Sequence, residues 1–375
     1  VLSDTLNVGD ALHHQLRALA AELEQSLMPL SAPAKGITQP PQAISYADLE
    51  IRILPRQEAG YPVKLSLYGE QEVYGRLPSD IASLISSGDA IQGGQRLLDT
   101  FLSRSATMEF WELAGSQAAR RRVRLWIDET TPELQALPWE YLPEENTFIA
   151  TASDTPFSRY IPTMRSVERT VITPPLRILA IIPNPIDHID YVQTYPDVIA
   201  ERTLLEETLS ELPASTVQLD FLPAPVTLKA LDNALLNPYH VIYFVGHGIF
   251  AQSKQQASLY FENESSRTAI VSDQVLADLL TRQTAMPQLI FLAAPENYQH
   301  STSDVYTGLA QRLVRAGIPA VIAMQRAIST SGAGSLIGVF FRQLIQHGIV
   351  DLALNEARSA LLKIDGPDAA LPVLF

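Results

Sequence analysis

From residue 176 onward, short runs of almost unbroken hydrophobicity alternate with amphipathic stretches at helical spacing. LRILAIIP (176–183), HVIYFV (240–245), QLIFLAA (288–294) and IPAVIAM (318–324) contain too few polar positions to leave one face in water. Such runs are expected of strands covered on both sides. VQLDFL (217–222) predicts a shorter strand, and helical patterns fall near 197–212, 227–236, 271–280, 305–316, 333–347 and 351–363. Strands alternating with helices imply βαβ units, so a domain over 174–375 is expected, in which residues 176–375 form one mainly parallel sheet with helices on both faces.

Upstream the texture is more irregular. Leu49, Ile51 and Ile53 alternate in DLEIRILP, as do Val63, Leu65 and Leu67 in YPVKLSLYG, and VRLWIDE (123–129) repeats the pattern. With helical patterns near 79–87 and 93–103, residues 45–173 predict a smaller α/β region. The run Arg120–Arg122 reads as a solvated helix end, where positive charge complements the helix dipole. Leu12, Leu16, Leu19, Leu23 and Leu27 predict a helix over 10–29, and the Pro-rich stretch 31–44 predicts a linker, so residues 1–44 form a lead-in.

Composition narrows the chemistry. The 375 residues carry 27 Lys+Arg against 41 Asp+Glu, a net charge of −14, and a field of that sign opposes nucleic acid. Cysteine is absent, which removes disulfides, thiolate metal sites and a cysteine nucleophile. No run of about 18 apolar residues suggests a membrane span, and the first residues lack the pattern of a secretory signal. The expectation is a cytoplasmic protein. The chain opens on Val1 rather than Met, as expected if it is processed or cut from a longer chain.

In an open parallel sheet, sites form beyond the carboxyl ends of the strands. One such end reads YHVIYFVGHGIF and sets His247 between Gly246 and Gly248, a tight accessible turn. A second, QLIFLAAPENYQH, ends at Ala293-Ala294-Pro295, where the proline stops the ladder. Gly332, Gly334 and Gly338 superficially resemble a dinucleotide-binding pattern. That pattern needs its first glycine directly after a strand, and here seven residues, Gln325 to Ser331, intervene. The seven histidines show no metal-ligand spacing, so no metal or other cofactor is expected.

PELQALPWEYL (132–142), FSRYIP (157–162), LRILAIIPNP (176–185), YHVIYFVGHG (239–248), LIFLAAPEN (289–297), GLAQRLVRAGIPAVIAMQ (308–325), ALNEARSALL (353–362) and LPVLF (371–375) carry a resemblance in order and spacing. Across roughly 45–375 the chain resembles the CHAT domain, a caspase- and separase-like peptidase module. The resemblance implies a caspase-like α/β fold preceded by a smaller α/β region. It also implies a Cys-His dyad with the histidine at His247, an oxyanion donor in the Gly248 N–H, and the thiol at the position occupied here by Pro295.

Proline offers neither a nucleophile nor the N–H that would help hold an oxyanion. The expectation is therefore a CHAT-like pseudopeptidase that regulates, scaffolds or binds a protein or peptide, its partners including domains of a longer chain. Two alternatives stay open: a peptidase with a non-cysteine nucleophile, for which Ser301, Thr302 and Ser303 lie nearest, and a nucleotide-binding α/β module. Trp139 and Arg159 belong to the two resembling segments ahead of the larger sheet. Trp139 is read either as an anchor between the two regions or as a core residue of the smaller one.

Overall fold

The computed structural model describes residues 46–85, 89–117, 120–128, 130–144, 147–161, 174–187, 197–251, 253, 256–293 and 302–375. The helix and linker expected over 1–44 lie outside them. Residues Ser45–Phe375 form one unit by their contacts, and two main sheets lie within it.

The first sheet is assembled from the alternating segments. β1 (Ala47–Ile53) pairs antiparallel with β2 (Tyr61–Leu67), which pairs with β3 (Gln71–Leu77). After α1 (Ile81–Ile85), α2 (Ala90–Phe101) and α3 (Ser105–Gln117), β4 (Arg121–Ile127) returns parallel to β1. A two-residue hairpin, β5 (Pro143–Glu144) and β6 (Thr147–Phe148), precedes β7 (Phe157–Arg159), giving the order β3-β2-β1-β4-β7. Leu49, Ile51, Leu65 and Leu125 point into a core closed by Leu97, Phe101 and Trp139. The period-2 pattern thus becomes one buried face.

The arginine run departs from expectation. Arg121 and Arg122 open β4 rather than ending a helix, and Arg121 is buried, ion-paired with Glu144, while Arg122 reaches Asp351 at 2.6 Å. Sequence spacing had no means of supplying those distant carboxylates.

The larger sheet follows the continuous apolar runs. It contains β8 (Leu176–Ile181), β9 (Val217–Phe221), β10 (Val241–Val245), β14 (Leu289–Ala293), β15 (Ala320–Met324) and β16 (Pro372–Leu374). The order is β9-β8-β10-β14-β15-β16, with every pair parallel except β15–β16. Alternate residues serve opposite faces: Val241, Tyr243 and Val245 pack on one side, Ile242 and Phe244 on the other. The first face is covered by α4 (Val198–Ser210), α8 (Thr330–His347) and α9 (Val350–Asp365). The second is covered by α5 (Leu228–Ala234), α6 (Asp273–Thr281) and α7 (Thr302–Ala316). Each fully buried Leu or Phe on these faces contributes about 1.5–3 kcal/mol.

Residues 176–375 do not form a single sheet. β11 (Gly248–Ala251), β12 (Gln256–Glu262) and β13 (Thr268–Ser272) make a separate antiparallel sheet, and the helix expected from 271 begins only at Asp273. Val271 is taken by the strand because it faces Leu259 across the ladder, a partner that local periodicity does not reveal.

Two helix termini explain residues that looked like motifs. Ser329 caps α8 by accepting from the Gly332 N–H at 3.0 Å, so the glycine series lies inside the helix. A Cβ on Gly338 would stand 3.1 Å from the Thr208 methyl and one on Gly334 3.3 Å from Leu204, so these glycines let α8 lie close to α4. They make no phosphate-cradling turn.

Candidate functional site

The strand order reverses between β8 and β10: the chain leaves β8 for the outer strand β9 and returns to the other side. Crevices open beyond the carboxyl ends of strands at such a switch. β10 ends there at Val245, whose register partner is Ala293, the last residue of β14. His247 lies two residues past Val245, and Pro295 two residues past Ala293 in sequence. Pro295, with Ala294, Glu296 and Ser301, lies outside the described residues. Thr302 and Ser303 open α7.

The turn around His247 is fixed by its glycines and by α7. Gly248 begins β11 opposite Leu259, where a Cβ would come within 2.4 Å of the Ser258 carbonyl oxygen and 2.8 Å of Val305. Only glycine fits so close an approach. The Tyr260 N–H donates to the His247 carbonyl at 2.9 Å. His247 is 1% exposed, so the turn is buried rather than accessible as its glycines suggest.

Tyr306 of α7, fully buried, binds the two strand ends together. Its hydroxyl donates to the Gly246 carbonyl at 2.6 Å and lies 3.2 Å from the Ala293 carbonyl. Tyr306 was not legible as a site residue. Its only signal is its place on the helix face shared with Leu309 and Leu313.

On the α4/α8 side of the same strand ends lies a cavity of about 100 Å³, walled by Tyr243, Phe291, Ala293 and Met324. Asp197 and Glu201 line it as well. Burial, with a smaller contribution from Glu201, pushes the Tyr243 hydroxyl far above the ordinary tyrosine range, so it stays protonated at any physiological pH. Among the described residues no group of three or more His, Asp or Glu is placed to hold a metal ion, and no helix is long and apolar enough to cross a membrane.

The remaining motif segments build a buried polar knot rather than chemistry. Asn355 on α9 donates to the carbonyls of Ile149, Ala152 and Thr155 at 2.9–3.2 Å and accepts from the Phe157 N–H. One turn on, Arg358 donates through Nε to the Pro372 carbonyl at 3.0 Å and through Nη1 to Asn355, Ala150 and Phe157. Burial pushes its guanidinium down to about 10, still far above neutral pH, so it is charged. Arg159 pairs with Glu140 through two bonds, 2.8 and 2.6 Å, both side chains buried. Trp139 is fully buried in the smaller region's core and donates from Nε1 to the Leu134 carbonyl at 2.7 Å. Of its two expected roles the structure therefore gives the core residue. Sequence reasoning singled out Trp139 and Arg159 but not Glu140, Asn355 or Arg358.

The family model described as the CHAT domain matches residues 93–371. The chain belongs to the CHAT domain family. The CHAT match spans the GHG turn, the β14 end and the Asn355/Arg358 knot, and so takes in both regions of the chain. Among solved structures, the complex of the pro- and mature domains of Porphyromonas gingivalis RgpB is similar at 14% identity and a TM-score of 0.46, covering 79% of this chain and 75% of that one. The Saccharomyces cerevisiae separase–securin complex is similar at 15% identity and a TM-score of 0.37, covering 68% of this chain and 15% of that one. Curated proteins gave no match.

Proposed function

We propose that this CHAT domain is a pseudopeptidase, a regulatory or scaffolding module that binds a protein or peptide without hydrolysing it. The observation that carries the reading is the absence of cysteine from all 375 residues, with Pro295 where the family resemblance puts the thiol. Attack on a peptide carbonyl requires a thiolate or an activated hydroxyl, and proline supplies neither. It also lacks the N–H expected to join that of Gly248 in holding an oxyanion, and loss of one such donor alone costs about 10²–10³ in rate. His247 keeps the general-base position, yet at 1% exposure it offers almost no surface to a substrate, and Pro295 at the thiol position has no proton to give it. Its work is then structural, in a turn clamped by Tyr306. The partner is a protein or peptide in the cytoplasm, and the net charge of −14 favours neither nucleic acid nor an anionic membrane.

The test is covalent. Intact-mass analysis after incubation with peptidyl acyloxymethyl ketones and a fluorophosphonate should show unmodified protein. An adduct on Ser301, Thr302 or Ser303 that disappears in His247→Ala would replace this reading with a hydrolase using a hydroxyl nucleophile.

A further inference from the structure

A groove of about 790 Å³ lies away from the strand-end turn, between α1 and α2 of the smaller region and the segment that follows β15. Its volume is in the range of ligand-binding clefts. Ile85, Leu137 and Pro138 give it apolar walls. Its charged groups are three carboxylates, Asp89, Glu133 and Asp368, against one guanidinium, Arg326. It shares no lining residue with the cavity beside Tyr243.

Acidic side chains alone define no site, but Tyr141 adds an independent observation. It lines the groove, is 2% exposed, and its O–H finds no hydrogen-bond acceptor among the described residues. Buried polar groups are nearly always satisfied, so a tyrosine O–H without an acceptor marks a place where an acceptor is missing. Burial raises its pKa most, Asp368 adds to that and the Arg326 guanidinium, placed to donate to the hydroxyl oxygen, opposes it, so both charges lie near the hydroxyl. That pair is loosely held: Arg326 Nη2 stands 3.2 Å from Asp368, with the two side chains 65% and 41% exposed.

We propose that this groove docks an extended peptide segment bearing a lysine or arginine beside apolar side chains. The incoming cation takes Asp368 in place of Arg326, the apolar side chains lie on Ile85, Leu137 and Pro138, and a peptide carbonyl accepts the Tyr141 O–H. An excess of carboxylates at the rim selects a basic over an acidic sequence. The inference stands apart from the pseudopeptidase reading, because none of its residues belongs to the His247 turn and no bond is made or broken.

The test selects dodecamers from a phage-displayed random peptide library on the full 375-residue chain, then measures the best peptide by fluorescence polarisation. Lysine and arginine should be enriched among the selected sequences. Tyr141→Phe, which keeps the ring, should weaken binding about 5-fold, and Asp368→Asn about 10-fold. Arg326→Ala should tighten it, because the competing cation is gone. Asp368 and Arg326 are partly exposed, so their variants keep the proposal testable even if Tyr141→Phe unfolds. Failure to select any peptide, selection without basic enrichment, or binding unchanged by both Asp368→Asn and Arg326→Ala would each overturn it. A peptidase activity found at the His247 turn would leave these outcomes untouched.

Discussion

Replacing Arg358 with methionine probes how the two sheets are held in one unit. The side chain is fully buried and serves the carbonyls of Pro372, Ala150 and Phe157 and the Asn355 amide oxygen. Methionine fills a similar length but donates nothing, so three carbonyls and one amide oxygen lose a charged donor. A hydrogen bond to a charged group contributes about 1.5–3 kcal/mol, and four give a gross loss of roughly 6–12 kcal/mol. Against this stands the cost of burying the guanidinium, several kcal/mol, which the variant no longer bears. The net expectation is a loss of about 3–5 kcal/mol, the size seen when a buried charged network loses one member. Urea denaturation followed by tryptophan fluorescence and by far-ultraviolet circular dichroism measures it, the two probes together testing whether both sheets unfold at once. Arg358→Lys should recover only part of the loss, since one ammonium cannot reach both the Pro372 and the Ala150/Phe157 sides. Arg358→Met within about 0.5 kcal/mol of the parent would refute the reasoning and place this arginine among buried charges that hydrophobic isosteres replace without loss.

Tyr306→Phe should cost about 1–2 kcal/mol through loss of its hydrogen bond to Gly246, and hydrogen exchange should quicken at residues 246–248 before it does elsewhere. Trp139→Ala should cost about 3–5 kcal/mol in denaturant unfolding, and a much smaller loss would contradict its full burial. His240 accepts the Arg177 N–H on Nδ1, and burial, followed by the Arg177 charge, lowers its pKa below the ordinary histidine value. The unfolded chain therefore binds the extra proton first, so this contribution to stability is present above a pH of about 6.5 and is lost as pH falls below it. His240→Asn should flatten that part of the stability–pH profile, and an unchanged slope would argue against a neutral histidine there.

The central strands were legible because burial on both faces leaves a signature that needs no partner: β8, β10, β14 and β15 fall within their apolar runs. β3 was not, because QEVYGRL is an edge strand with four of its first residues exposed or half-exposed and Gly75 in its middle. The small sheet β11–β13 was hidden for a related reason, since its register depends on cross-strand pairs such as Val271 with Leu259. The His247 turn was legible because crowding by Ser258 and Val305 forces a glycine beside it, and glycines show in a sequence. Tyr306, Asn355 and Arg358 were not, because each acquires its role from carbonyls brought near only by the fold. Asn355 reaches residues about 200 positions away. Arg121 was misread on the same account, its partner Glu144 lying 23 positions on, in the β5–β6 hairpin.

The central claim is that the GHG turn no longer performs hydrolysis, and its most direct test is cleavage of a fluorogenic peptide library by the purified chain, run beside His247→Ala. The account predicts release no faster than the buffer control for both proteins, across every residue at the cleaved position. Cleavage by the parent that His247→Ala abolishes would contradict it.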